Sequence, residues 1–147
     1  MKGQDVLFSH KSDNYITPKW LYQELDKEFH FDMDVCTNSD NPLGTKYFIT
    51  GNENGLNMPW LKWNYCNPPY SEIDLWCERA HYEWLEGKNT VMLLPSRTGT
   101  KWFHKWIWNK EQNLPRFNRE IRFLEGRLKF QGTNNSAPFD SMVVIFR

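Results

Sequence analysis

Apolar residues along this chain recur at two spacings, and the switches between them lay out the elements. Leu21, Leu25 and Phe29 stand four apart behind Thr17-Pro18, which predicts a helix with a Thr N-cap and Pro in its first turn. Phe31, Met33 and Val35 alternate with Asp32, Asp34 and Cys36, the period of a short strand that Asp34 is expected to end. Residues 37–59 are rich in Asn, Gly, Asp and Pro and read as one long loop, of the kind that carries function in a compact domain. Trp63 to Cys66 is a second short strand, stopped by Asn67-Pro68-Pro69-Tyr70. Ser71 then caps a helix, with Asp74 completing an approximate capping box. Ile73, Trp76, Cys77, Ala80 and Trp84 keep helical period along it until Gly87. Thr90 to Leu94 is a continuous apolar run, as in a strand covered on both faces. Lys101 to Asn109 reads as a helix with Phe103 and Ile107 on one side. Glu120 to Leu124 and Arg127 to Phe130 flank Glu125-Gly126, which predicts a hairpin, and Met142 to Phe146 is a last strand. Alternation first and a strand cluster last predict an α/β fold, a mixed sheet with antiparallel C-terminal strands. The first thirteen residues are polar and expected to fray. No repeat or linker divides residues 1–147, so one domain is expected.

Composition narrows the class. Aromatic residues make up 16% of the 147, too many for a disordered chain. No apolar run reaches the ~18 residues of a membrane helix and no signal peptide opens the chain, so a cytosolic protein without a membrane partner is expected. The 18 basic and 18 acidic residues balance, but unevenly along the chain. Residues 1–96 hold 8 Lys/Arg against 14 Asp/Glu, net −6; residues 97–147 hold 10 against 4, net +6. Such a split fits either a basic face for a polyanion or two halves packed on each other. Cys36, Cys66 and Cys77 form no CxxC pair, and the four histidines keep no ligand spacing, so no disulfide framework and no metal is expected.

Asn67-Pro68-Pro69-Tyr70, set between a strand and a helix, is the sharpest chemical feature. Two prolines hold φ near −65° and remove two backbone donors, leaving carbonyls that only accept. The Asn side chain adds an amide oxygen and Tyr70 a flat ring. A rigid cluster of acceptors beside an aromatic face suits a planar group carrying an –NH2. The plain alternative is a polar turn that leads into the next helix. Its position at a strand's carboxyl end, where open α/β sheets bind ligands, favours function.

These residues resemble the phage-type, Dam-like DNA adenine-N6 methyltransferases, and the likeness runs from Tyr15 to Phe146. Thr17-Pro18-Lys19-Trp20-Leu21 is similar to the family's TPxxL segment and Phe31 to Thr37 to its FDxDxCA strand. Asn54-Gly55-Leu56 with Trp60 is similar to its DGL…W segment. Asn67 to Tyr70 matches NPPY, and Leu93 to Phe103 is similar to LLPxxTxTxWF. Phe123 to Phe130 with Ala137-Pro138-Phe139 is similar to FLxGRLxF…APF. The resemblance implies a compact Rossmann-like fold and S-adenosylmethionine as cofactor. Tyr15, Thr17, Pro18, Asp34, Cys36, Thr37, Asn54 and Leu56 would bind the donor. Asn67 and the carbonyl of Pro68, held by Pro69, would orient the amine of a flipped-out adenine, with Tyr70 stacked on its ring. Arg97, Thr98 and Arg127 would meet double-stranded DNA, and the basic segment 97–147, with Arg116, Arg119 and Arg122, would follow the phosphates. A phage- or prophage-encoded protein in the bacterial cytoplasm is implied, with a homodimer an open option. Trp60, Trp76, Trp84 and Trp106 read as core. Two other readings stay open: the same chemistry on an RNA base or a glutamine amide, and a DNA-binding relative that has lost catalysis.

Overall fold

A computed structural model describes residues 15–147; the expectation of a frayed start falls outside them. The elements are α1 (Lys19–Phe29), β1 (Met33–Thr37), β2 (Tyr47–Thr50), α2 (Asn52–Asn57), β3 (Trp63–Cys66), α3 (Ile73–Leu85) and β4 (Asn89–Pro95). They continue with α4 (Lys101–Trp106), β5 (Trp108–Asn109), β6 (Leu114–Pro115), β7 (Glu120–Phe123) and β8 (Ser141–Phe146). Six strands make one sheet in the order β2-β1-β3-β4-β8-β7, and β5 and β6 pair separately. The β2, β1, β3 and β4 strands are parallel; β8 runs antiparallel to β4 and to β7. The mixed α/β sheet with antiparallel C-terminal strands is as the sequence predicts. No described helix is long and apolar enough to cross a membrane.

Period-2 alternation on the central strands supplies two cores. Val91 and Leu93 of β4 and Val143 and Ile145 of β8 face α1, joining Leu21, Leu25, Phe29 and the segment Leu128–Phe130. Met92, Leu94, Met142, Val144 and Phe146 face the opposite way, onto Trp76, Cys77 and Ala80 of α3 and Phe103 of α4. Trp60, Trp76 and Trp106 are buried as expected, and Trp84 packs at the edge of the same core.

Several expectations need correction. The supposed loop 37–59 contains β2 and α2. Every residue of β2 favours a strand, and Ile49 is buried, so propensity and packing agree on an element that the Asn- and Gly-rich surroundings hid. Gly55 of α2 has a packing role: a Cβ there would overlap the Val35 carbonyl and the Trp76 ring. Thr17 does not cap α1; the N-cap is Pro18, without a side-chain bond. The Thr17 hydroxyl turns inward to Tyr65 instead, because both are buried and need a partner. A 3-10 turn, Tyr70–Glu72, precedes α3, whose N-cap is Glu72 rather than Ser71. Asp74 accepts from the Trp106 indole at 2.7 Å, joining α3 to α4 rather than closing a capping box. The helix from Lys101 stops at Trp106. The predicted hairpin around Gly126 does not form. β7 pairs with β8, and Leu128 and Phe130 are drawn into the α1 core, where Ala137 N–H bonds the Leu128 carbonyl.

Candidate active site

Sheet order determines where a cleft can open. β1 has β2 on one side and β3 on the other, so the chain crosses over β1 between them. The connections leaving the carboxyl ends of β1 and β3 therefore run to opposite sides, and open α/β sheets bind ligands at such a divergence. β1 ends in Thr37 and β3 in Cys66, followed at once by Asn67. A register irregularity lies between Asp34 and Thr37 of β1, the kind of bulge that re-aims side chains beside a site.

The enclosed part of the cleft at this point is small, about 40 Å³, and it opens to solvent. Tyr15, Thr17, Asp34, Cys36, Thr37, Tyr65 and Asn67 line it. Six of the eleven lining residues are among those singled out in the sequence; Ile16, Asn38, Pro42, Leu43 and Tyr65 are additions. A wider open cleft adjoins it through Thr37 and Asn38 and reaches Asn54, whose Nδ2 donates to the Thr50 carbonyl at 2.9 Å. Leu56 lines neither cleft; it packs on the α3 core, and its carbonyl accepts from Arg79.

Asp34 does not stand at the end of β1 as expected but is its second residue, and it is only 2% exposed. It pairs in register with Tyr65, on the face that α1 covers. Its Oδ1 accepts from Cys36 N–H at 3.2 Å, and the Thr37 side chain also bonds it. Burial still outweighs these bonds and pushes the Asp34 carboxyl up to about 7. Burial likewise pushes the Cys36 thiol up, so it stays protonated.

The Asn67 amide is held by its nitrogen. Nδ2 donates to the Tyr15 carbonyl and to Thr17 Oγ1, at 3.2 Å in the latter case. These bonds leave Oδ1 pointing elsewhere, buried and with no hydrogen-bond partner among the described residues. An unsatisfied buried acceptor costs about 1–3 kcal/mol, so it implies a missing donor. Pro68 and Pro69 are buried. The Pro69 carbonyl accepts from Glu72 N–H at 3.0 Å, which fixes the turn into α3.

Tyr70 lies in an aromatic cluster the sequence did not foretell. Its ring stacks on Tyr15, centroids 5.1 Å apart at 24°, and meets Phe139 edge-on at 5.4 Å. Phe130 contacts both Tyr15 and Phe139. Phe130 and Phe139 belong to the terminal motifs, but only the fold brings them beside Tyr70. Gln131 straps the N-terminal segment down through a bridge to Ile16 and a 2.7 Å bond to the Thr17 carbonyl.

The basic segment divides. Arg97 is exposed, with its guanidinium 5.9 Å from the Phe139 ring, so the fold brings it to the cluster. Thr98 is exposed nearby and its carbonyl accepts from His104. Arg127 is exposed in the segment after β7, an edge strand of the sheet, and does not line the cleft. The other three arginines do not offer a free charge, contrary to expectation. Arg116 donates to the His104 and Trp108 carbonyls. Arg122 pairs with Glu28 and Glu120. Arg119 is 3% exposed, packed over Phe146, Trp84 and Phe117, with Nη2 2.7 Å from His81 Nδ1. Charge counting along the sequence could not separate anchoring cations from free ones. No group of three or more metal-ligating side chains occurs among the described residues.

Comparison with known proteins gives the family. The family model described as DNA N-6-adenine-methyltransferase (Dam) matches residues 5–147. Over 139 residues the chain is 32% identical to the DNA N-6-adenine-methyltransferase of Haemophilus phage HP1 (strain HP1c1), covering 91% of this chain and 78% of that protein. Over 95 residues it is 30% identical to the DNA N-6-adenine-methyltransferase of Escherichia phage T1, covering 62% of this chain and 39% of that one.

Proposed function

The chain belongs to the DNA N-6-adenine-methyltransferase (Dam) family, and from that premise we propose that it methylates N6 of an adenine flipped out of DNA, at Asn67-Pro68-Pro69-Tyr70, with S-adenosylmethionine as donor. The observation that carries this reading is the orphaned Asn67 Oδ1, a buried acceptor lacking the donor that an exocyclic amine would supply.

The strand order, with the cleft at the divergence of β1 and β3, supports a Rossmann-like methyltransferase fold. The lining fits the donor: a buried carboxyl at Asp34 for its ammonium or ribose hydroxyls, and Thr17, Cys36 and Thr37 around it. Asn54, which lines the adjoining cleft, would meet the donor's adenine. When bound, S-adenosylmethionine supplies a sulfonium methyl that is electrophilic without further activation.

The chain's own task is then to present a nucleophile. The lone pair of an adenine amine is delocalised into the ring, which makes it weak. Asn67 Oδ1 and the Pro68 carbonyl would accept hydrogen bonds from its two N–H groups and draw the nitrogen out of planarity; as the N–CH3 bond forms and the S–CH3 bond breaks, one amine proton is lost to solvent and the donor leaves as its thioether. Pro69 cannot share that work, since its carbonyl already holds Glu72. Such preorganised acceptors act most strongly in a site that excludes water. Stacking on Tyr70 offsets part of the few kcal/mol that unstacking the base costs. Arg97, Lys101, Arg127 and Lys129 are exposed and would supply phosphate contacts.

The test is labelled-methyl transfer from S-adenosylmethionine to DNA, RNA and protein in parallel. Label in DNA alone, released as N6-methyladenine, is expected. Label in RNA or in glutamine side chains, with none in DNA, overturns the substrate.

A further inference from the structure

The face of Tyr70 on which a base would stack is covered by the protein itself. Tyr15 lies on it at 5.1 Å and 24°, and the edge of the slot is closed by Phe139, 5.2 Å from Tyr15 at 86°. The same residue's carbonyl takes the Asn67 amide hydrogen. Tyr15 thus engages both groups to which the target is assigned. The chain beyond it is pinned: Ile16 bridges Gln131, and Thr17 bonds Tyr65. Movement at this point falls to Tyr15, which is only half-buried.

Resting on the reading of Tyr70 as the base platform, we propose that Tyr15 is an internal occupant of the base slot, stacked there in the free protein and displaced by the incoming adenine. A flat aromatic ring seated between a stacking face and a perpendicular edge has the packing that a purine requires. The contact stands as an autoinhibitory plug. It satisfies the slot's apolar surface when no base is present, and a base must compete with it. A target already extrahelical in mismatched DNA needs no unstacking, so it senses the plug most directly.

The experiment uses the full chain and a DNA duplex with an unpaired 2-aminopurine, whose fluorescence falls on stacking. Binding and quenching are compared for the unaltered chain, Tyr15→Ala, Tyr15→Leu and Tyr70→Ala, with thermal unfolding as a check on folding. Removing the plug is expected to tighten binding about three- to tenfold, the worth of one aromatic stack, and to deepen quenching. Tyr15→Leu keeps apolar cover without a flat ring and should move the same way. Tyr70→Ala should weaken binding and abolish quenching. If Tyr70→Ala weakens binding but both Tyr15 variants leave it unchanged or weaken it, Tyr15 is a wall of the slot and the proposal fails. If Tyr70→Ala has no effect, the platform itself is wrong.

Discussion

The phenol oxygen of Tyr65 lies 2.6 Å from Oγ1 of Thr17, and both groups are buried. This bond ties the segment that leads into α1 to the strand that delivers Asn67. Thr17 Oγ1 also accepts from Asn67, so the three side chains form one network. Tyr65→Phe is expected to cost about 1 kcal/mol in urea denaturation, the ordinary net value of one hydrogen bond. Thr17→Val removes both contacts and should cost more. The double variant should cost less than the sum, because the two share a bond.

Asp34 makes the protein's stability depend on pH in an uncommon direction. Its carboxyl is raised to about 7 in the fold, against about 3.9 in an unfolded chain. Between those values the folded state holds a proton that the unfolded state has lost. The contribution of Asp34 to stability is therefore full below about pH 4 and declines as pH rises to about 7, at up to about 1.4 kcal/mol per pH unit. Asp34→Asn should flatten that slope and stabilise the protein at pH 8, while weakening S-adenosylmethionine binding. Denaturation at pH 5 and pH 8 together with calorimetric titration measures both.

The arginines separate by salt dependence. Arg127→Ala should lower DNA affinity and reduce the slope of log K against log salt by about 1. Arg119→Met should leave that slope unchanged, since the guanidinium is enclosed by Trp84, Phe117 and Phe146. Its Nε and Nη1 have no partner among the described residues, so an apolar replacement is expected to be neutral or stabilising in denaturation. Binding titrations between 50 and 200 mM salt are about wide enough to resolve the slopes.

Much of this was legible where one local signal dominated. The unbroken apolar runs of β4 and β8 announced central strands, and the spacing of Ile73, Trp76, Cys77 and Ala80 announced α3. Pattern failed where tertiary packing overrode it. The Asn-rich α2 carries little propensity and forms where Gly55 fits against the core, while the strand-favouring run Tyr47 to Thr50 was hidden by the turn residues around it. Leu128 and Phe130 alternate like a strand, yet β7 already had β8 as its partner. At the site, Asn67 to Tyr70 stood out through proline chemistry. The stacking of Tyr15 on Tyr70 joins residues far apart in sequence and has no local mark.

Single-turnover methyl transfer by Asn67→Ala tests the central claim most directly, with S-adenosylmethionine affinity and folding measured on the same sample. The account predicts a rate lower by at least about 100-fold, the scale of losing one preorganised electrostatic contact, with donor affinity largely kept. Transfer within a few-fold of the unaltered chain would contradict the assignment of Asn67 Oδ1 to the adenine amine.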